Sequence, residues 1–150
     1  MSADLKVNIR YIYNMCNDID EISKFYTHTI GLKEKAKRND EKWGWVVYAS
    51  EGFEFIFFRA KKTMPVISEF AWQPGGGGGH TEMSSWTISL PKNQFIETLE
   101  KLKANKYYTR QAKPIWLQDF YWGIVAKDPM GNTVELTYEP EEYPESTVWK

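Results

Sequence analysis

The stretch Asp128-Pro129-Met130-Gly131-Asn132-Thr133-Val134-Glu135-Leu136-Thr137-Tyr138 decides the fold of this chain. Pro129 fixes φ near the value that a first turn position needs, and Gly131 can adopt a positive φ. From residue 133 onward polar and apolar residues alternate strictly, which is typical of a half-buried strand. We therefore predict a hairpin that leads into a final strand with Glu135 on its polar face. Because a strand Glu is most often simply exposed, periodicity alone leaves the role of Glu135 open.

Working outward, this stretch resembles the closing motif Asp-Pro-x-Gly-Asn-x-x-Glu-Leu of the vicinal oxygen chelate superfamily, which includes glyoxalase I, bleomycin-resistance proteins and extradiol dioxygenases. Residues 17–26, followed by Ile30-Gly31-Leu32, are similar to the opening pattern of the same family. The resemblance implies an α+β fold in which two βαβββ modules form a curved eight-stranded mixed sheet around a cavity. It also implies that Glu135 matches a residue that is often a metal ligand.

Composition is that of an ordinary globular domain of 150 residues. The net charge of −1 gives no electrostatic reason to bind nucleic acid or an anionic membrane. The sequence predicts neither a transmembrane helix nor a signal peptide. A single cysteine, Cys16, excludes an internal disulfide, and we expect a cytoplasmic protein.

The order of apolar segments predicts an internal repeat. The first half predicts a helix over residues 19–29, capped by Asn17 or Asp18, and strands over 7–13, 32–37, 43–49 and 53–59. The second half predicts a helix over residues 91–105 and strands over 83–90, 106–111, 121–126 and 133–138. A shift of 74 residues superposes the two helices, and a shift of 79 superposes the closing hairpins.

We expect one glyoxalase/bleomycin-resistance-like domain over residues 1–150. Its first module spans 5–60, a glycine-rich linker 61–80, the second module 81–140 and an acidic, extended tail 141–150. The glycine run at 75–79 cannot hold a helix or strand by itself, so it predicts a mobile linker or a lid over the cavity.

The positions that match the family's metal ligands carry few suitable side chains. The resemblance places the first-strand positions on Tyr11 and Ser85, and the closing-strand position of module one on Ile56, or on Glu54 if the hairpin is one pair shorter. Only Glu135 keeps a typical ligand, whereas a catalytic divalent site needs about three protein ligands. His28 is expected on the exposed side of its helix, and His80 reaches the site only if its loop folds back. We therefore predict no metal and no other cofactor.

Seven tryptophans exceed what a small core needs, and Trp and Tyr are favoured walls of a ligand cavity. We expect Trp122, Trp116 and Tyr121 to lie beside Glu135, although such rings also commonly serve as core. The full set of predicted ligand-binding residues is Trp43, Trp45, Trp116, Tyr121, Trp122, Glu135, Tyr11 and Ser85.

The sequence favours metal-independent binding or sequestration of a small aromatic or planar molecule, as in bleomycin-resistance proteins. A metal-dependent lyase, isomerase or dioxygenase with a non-standard site at Glu135, and an accessory domain that binds a protein partner, remain alternatives. An acid–base pair of Asp119 and Glu135 is a weaker hypothesis. The basic patch at residues 106–110 is too short to predict nucleic-acid binding. We also expect a homodimer, because the edge strands of such sheets need cover.

Overall fold

The computed structural model describes residues 7, 9–73 and 78–150, and the chain divides into two compact units. The first unit comprises Met1–His28 and Leu32–Met64, and the second comprises Thr29–Gly31 and Pro65–Lys150. The prediction of a linker or lid at residues 75–79 lies partly outside the described residues. The region assigned to the linker from residue 65 onward belongs to the second unit.

The first unit forms a four-stranded mixed sheet in the order β1-β4-β3-β2, in which β1 runs parallel to β4. Its helix begins as α1 and continues as a π-helical segment over Lys24–Ile30. The elements are β1 (Tyr11–Cys16), α1 (Ile19–Ser23), β2 (Glu34–Asn39), β3 (Gly44–Ala49) and β4 (Glu54–Arg59).

The helix starts where the sequence predicts, because the Asp18 carboxylate accepts hydrogen bonds from the backbone N–H groups of Asp20 and Glu21 at 2.8 and 3.1 Å. Its apolar side is fully buried, which confirms the face predicted from helical spacing. The buried residues are Ile19, Ile22, Phe25, Tyr26 and Ile30. The ring of Tyr26 contacts Tyr48 and Phe57, so aromatic packing dominates this core.

The second unit repeats the topology of the first. Its sheet has the order β5-β8-β7-β6, and β5 runs parallel to β8. The elements are β5 (Ser85–Ser89), α2 (Lys92–Ala104), β6 (Ile115–Leu117), β7 (Tyr121–Lys127) and β8 (Thr133–Tyr138). Two βαβββ modules are thus present, as predicted, and the predicted bounds of β8 are correct. Phe95 and Leu102 bury one side of α2, and Leu99 is half-buried.

Two predicted strands need correction. Residues 106–111 form no regular strand, although Arg110 N–H donates to Val125 O and Lys127 N–H donates to Tyr108 O. Lys106 adopts a positive φ of 57° at the end of α2, which prevents an extended start. The third strand of the module is β6, which follows Pro114. The first strand begins at Tyr11 and not at Val7.

Residues 65–73, here called the strap, are tied to the closing hairpin of the second unit. Ile67 N–H donates to Met130 O at 2.9 Å, and Ala71 N–H donates to Thr133 Oγ1 at 2.8 Å. Lys127 Nζ donates to the carbonyl oxygens of Glu69 at 2.6 Å and Gly131 at 3.1 Å. These bonds give the strap fixed partners, which a free linker lacks.

The acidic tail, predicted to be extended on the surface, folds back onto the second unit. Val148 forms an isolated β-bridge with Ile115. The Trp149 ring packs edge-on against Trp122 at 5.0 Å and against Phe95 at 5.6 Å. The last residues therefore help to cover the helix side of the sheet. No helix in the described residues is long and apolar enough to cross a membrane.

Candidate functional site

Strand register decides which side chains accompany Glu135. Glu135 lies opposite Thr87 on β5 and opposite Val125 on β7. Directly opposed residues project to the same face of a sheet, and residues two apart along a strand do so as well. The face of Glu135, here called the hydroxyl face, carries a run of Ser and Thr. Its hydroxyl residues on β5 and β8 are Ser85, Thr87, Ser89, Thr133 and Thr137.

Both oxygens of the Glu135 carboxylate accept hydrogen bonds from hydroxyl groups. Thr87 Oγ1 donates to Oε2 at 3.0 Å, and Tyr121 OH donates to Oε1 at 3.3 Å. Glu135 is only 5% exposed, so these bonds compensate part of the cost of burying a charge. Burial raises the pKa of Tyr121, and the neighbouring carboxylate raises it further, because a phenolate beside Glu135 would be repelled.

Arg110 supplies the positive charge near Glu135. Burial lowers the pKa of Arg110, and the charge of Glu135 opposes that shift. Arg110 Nη2 donates to Ala71 O at 2.8 Å, and its guanidinium lies 4.6 Å from the centroid of the Phe70 ring. Lys127 Nζ lies at the same distance from that ring. Arg110 thus connects the strap with the electrostatic surroundings of Glu135.

Gly123 keeps space open on the hydroxyl face. It lies opposite Thr137 on β8, and a Cβ at this position would lie 3.4 Å from Glu135 Oε1. The same Cβ would approach Leu117 Cδ1 to 2.7 Å, closer than side chains pack. A larger residue at position 123 would therefore crowd the carboxylate.

The hydroxyl face does not fit the divalent metal that the fold family implies. Among the described residues no three His, Cys, Asp or Glu side chains form a group that could hold a metal ion. Both carboxylate oxygens already accept hydroxyl protons, and a guanidinium contributes positive charge nearby. A divalent ion prefers several anionic or imidazole ligands and is disfavoured by an adjacent cation.

The equivalent face of the first sheet is aromatic, and we refer to it as the aromatic face. Tyr13 on β1 lies opposite Ile56 on β4, as Thr87 lies opposite Glu135 in the second sheet. Of the two alternatives, Ile56 and not Glu54 therefore occupies the position that corresponds to Glu135. Glu54 lies opposite Tyr11, and it forms an ion pair with Lys35.

The aromatic face exposes large apolar side chains. Tyr13 is 59% exposed and Met15 is 44% exposed. The Tyr13 ring lies 5.8 Å from that of Tyr11 and 5.6 Å from that of Phe58. Phe58 lies opposite both Met15 and Trp45, so the half-buried Trp45 extends the same surface. Such an exposed aromatic patch is typical of a binding surface.

The predicted ligand-binding residues fall on different faces. Tyr121 and Ser85 lie on the hydroxyl face with Glu135, and Tyr11 and Trp45 lie on the aromatic face. Trp43 precedes β3 and is 55% exposed. Trp116 and Trp122 lie opposite each other on the reverse side of the second sheet, since Trp122 is opposite Tyr138. The expectation that they line one cavity with Glu135 was wrong. Val125 shares the face of Glu135, and Trp122, three residues earlier on the same strand, points to the other face.

Other candidates have structural partners. His28 is exposed, as predicted. The backbone of His80 pairs with Ala71, and its ring lies 4.0 Å from Glu69. Asp119 accepts hydrogen bonds from Trp116 Nε1 at 3.1 Å and Tyr143 OH at 2.6 Å. Asp119 therefore anchors the tail, which gives it a role other than the hypothetical acid–base pair.

Sequence reasoning missed Thr87, Arg110 and Tyr13. Thr87 could have been found, because it lies two residues after Ser85 and therefore shares its face. Tyr13 follows Tyr11 by the same rule. Arg110 comes from an irregular segment, for which no periodicity predicts a direction.

Comparisons with known proteins identify the fold. A glyoxalase/dioxygenase from Nostoc punctiforme has a TM-score of 0.65 at 16% identity, covering 94% of this chain and 96% of that protein. A glyoxylase/bleomycin resistance protein/dioxygenase domain from Frankia sp. EAN1pec has a TM-score of 0.63 at 11% identity, covering 89% and 98%. The fosfomycin resistance protein FosX from Listeria monocytogenes has a TM-score of 0.61 at 11% identity, covering 93% and 98%.

These likenesses show that the chain has the fold of the glyoxalase/bleomycin resistance/dioxygenase proteins, which confirms the predicted α+β class and its two βαβββ modules. No model of a protein family matches the sequence, and no curated protein matches it.

Proposed function

We propose that the protein binds a small planar aromatic molecule on the aromatic face of its first sheet, without a divalent metal. The observation that carries this proposal is the exposure of Tyr13 and Met15 beside Phe58 and Trp45. A soluble sheet face normally places polar side chains toward water, so an aromatic row at this position is costly unless something covers it.

The position equivalent to Glu135 supports the same view. In the first unit it is Ile56, which is 5% exposed and forms the floor of the aromatic face between Tyr13 and Val47. An apolar floor flanked by rings provides van der Waals contact and stacking, which are the contacts that a planar ligand uses. Ile56 has no titratable group, so the first unit lacks an acid or base at the position that Glu135 occupies in the second unit, which favours sequestration.

The hydroxyl face adds a second, polar surface with one buried carboxylate. In the described residues it lacks the ligand set of a divalent site. Bleomycin-resistance-like binding is thus better supported than a metal-dependent lyase, isomerase or dioxygenase. The neighbours named for fosfomycin and bleomycin resistance have the same fold, which makes a role in handling a toxic small molecule consistent with this proposal.

The test is a calorimetric titration of purified protein with a panel of planar aromatic compounds that includes bleomycin-type drugs. We expect saturable binding of at least one member. Trp45→Leu and Tyr13→Leu should each weaken it about three- to tenfold, because a stacked ring contributes roughly 0.5–1.5 kcal/mol.

Tyr108→Leu is the matched control. Tyr108 is 65% exposed and stacks on Phe70 of the strap, and it belongs to neither sheet face. This control should bind as tightly as the unmodified protein. Equal weakening in all three variants, or no binding by any compound, would contradict the proposal.

A further inference from the structure

The tail forms one wall of a groove on the helix side of the second sheet. The groove has a volume of about 940 Å³, within the usual range of small-molecule pockets. Leu90, Pro91, Lys92 and Ile96 line it at the start of α2. Trp122 and Tyr138 form its floor, and residues of the tail close the other side. This groove is separate from both the hydroxyl face and the aromatic face.

The groove is held in shape by aromatic packing and by anchored backbone. Trp149 contacts Trp122 at 5.0 Å, and Trp122 in turn contacts Trp116 at 5.2 Å. Asp119 holds the tail through the Tyr143 hydroxyl. Pro140 and Pro144 restrict the backbone of the tail. The tail therefore loses little conformational entropy when a ligand binds in the groove.

The rim of the groove is acidic. Glu139, Glu141 and Glu142 line it together with Lys92 and Lys150, so carboxylates outnumber ammonium groups among the described lining side chains. Carboxylates around aromatic rings favour a cation, since the ring faces also attract positive charge. Ile96 is 39% exposed and adds an apolar surface at the opening.

We propose that this groove binds a small planar aromatic cation. Its rings would pack against the half-buried Tyr138 and Trp149, and its positive charge would lie toward Glu141 and Glu142. The proposal concerns a second site and stands independently of the function proposed for the aromatic face.

A neighbouring groove provides an internal comparison. It has a volume of about 730 Å³ and shares Trp149 and Lys150 with the first groove. Besides Lys150, its lining includes Lys103, Lys106 and Lys113. Glu100 contributes a carboxylate, so positive charges outnumber negative ones among the described lining side chains. The two grooves are therefore of opposite charge, and a planar cation should select the one with the acidic rim.

The experiment is a calorimetric titration with proflavine, a planar cation, beside anthracene-2-carboxylate, a planar anion. We expect saturable binding of proflavine that weakens about three- to tenfold in Glu141→Gln/Glu142→Gln, because an exposed carboxylate attracts a cation only modestly. Ile96→Arg places a bulky cation at the opening and should abolish proflavine binding. Ile96 is exposed, so this variant should keep its fold.

Glu97→Gln/Glu145→Gln removes the same charge outside the groove and should leave the proflavine affinity unchanged. Tyr13→Leu should also leave it unchanged, which separates this site from the aromatic face. Proflavine binding that survives Ile96→Arg would overturn the proposal, and so would equal loss in the two Glu double variants or an absence of saturable binding.

Discussion

Glu135 is the residue on which the second sheet's chemistry depends. Its carboxylate accepts hydrogen bonds from Thr87 and Tyr121, and its negative charge adds to the effect of burial in raising the pKa of Tyr121. Tyr121 responds most directly, because it donates a hydrogen bond to this carboxylate.

The first prediction concerns the pKa of Tyr121. Glu135→Gln removes the negative charge that raises this pKa, so the Tyr121 pKa should fall toward its ordinary value while the contribution from burial remains. NMR titration of protein with labelled tyrosine rings measures it, and Tyr121→Phe assigns the resonance. Tyr143 is the control, because its raised pKa arises from Asp119 and should not move. An unchanged Tyr121 pKa would contradict the arrangement described for Glu135.

The second prediction concerns acid release of the tail. The hydroxyl of Tyr143 and the indole N–H of Trp116 donate to Asp119 and hold its pKa below the ordinary value of 3.8. A carboxyl with a lowered folded pKa contributes stability above its unfolded pKa and loses it as the pH falls through the folded value. The tail anchor should therefore persist at pH 5 and weaken below about pH 3.8.

The indole N–H resonance of Trp116 measures this release, since it should move as Asp119 is protonated. Asp119→Asn keeps an acceptor oxygen but cannot titrate, and it should remove the pH dependence. A Trp116 resonance that titrates identically in Asp119→Asn would show that another group anchors the tail.

Among individual residues, Glu135 and Ser85 match ligand positions of the family that the sequence resembles, and the strand register places both on one face with Tyr121. Trp122 is close to Glu135 along the chain but faces the opposite side of the sheet, because successive residues of a strand point to alternate faces. The pairing of Trp122 with Tyr138 could not be read without the strand register. Register is a tertiary property, set by the hairpin and by which face is buried.

Among the structural elements, the strap is held in part by one buried cation, Lys127. Lys127 is 9% exposed, and its ammonium donates to carbonyl groups of Glu69 and Gly131 while lying 4.6 Å from the centroid of the Phe70 ring. Burial lowers the pKa of Lys127, and the negative charges of Glu69 and Asp128 partly offset this shift. Gly131 permits the close approach, because a Cβ there would lie 1.9 Å from Ile67 O.

The third prediction is that Lys127→Met releases the strap. The variant leaves the carbonyl groups without their donor. We expect the free energy of unfolding to fall by about 1.5–3 kcal/mol, which is the usual contribution of a hydrogen bond to a charged group. Hydrogen exchange should speed up at the amides of Ile67 and Ala71, which bond to the closing hairpin. Lys101→Met is the control, because Lys101 forms only an i,i+4 ion pair with Glu97 on the surface of α2. Exchange at Ile67 that is equally slow in both variants would contradict the role of Lys127.

Elements with a strong local signal were predictable, and irregular ones were not. The bounds of β8 follow from alternation after a Pro-Met-Gly turn, and the buried side of the first helix follows from helical spacing. The three-residue β6 is too short to show a period, whereas residues 106–111 look like a strand but follow a positive φ at Lys106. The tail was predicted to be extended on the surface because it is acidic and rich in Pro, and this composition does not indicate that Trp149 packs against Trp122.

At the scale of the whole molecule, one topology is used twice with different surface chemistry. The rows Tyr13-Ile56-Val47 and Thr87-Glu135-Val125 occupy corresponding positions in the two sheets. The sequence reveals this repeat, because strand order and helix position recur at nearly constant spacing. Alternation along one strand shows that Tyr11 and Tyr13 share a face, as do Ser85 and Thr87, but which residues of the neighbouring strand join them depends on the register of each sheet.

The most direct test of metal-independent binding is calorimetry of one protein preparation in two states, dialysed against a chelator and then supplied with zinc or manganese. The planar aromatic ligand identified by the panel should bind with the same affinity in both states and in Glu135→Gln, because the part of the chain that the structure describes holds no group of side chains that could bind a metal ion. Binding that appears only with added metal and disappears in Glu135→Gln would contradict the account.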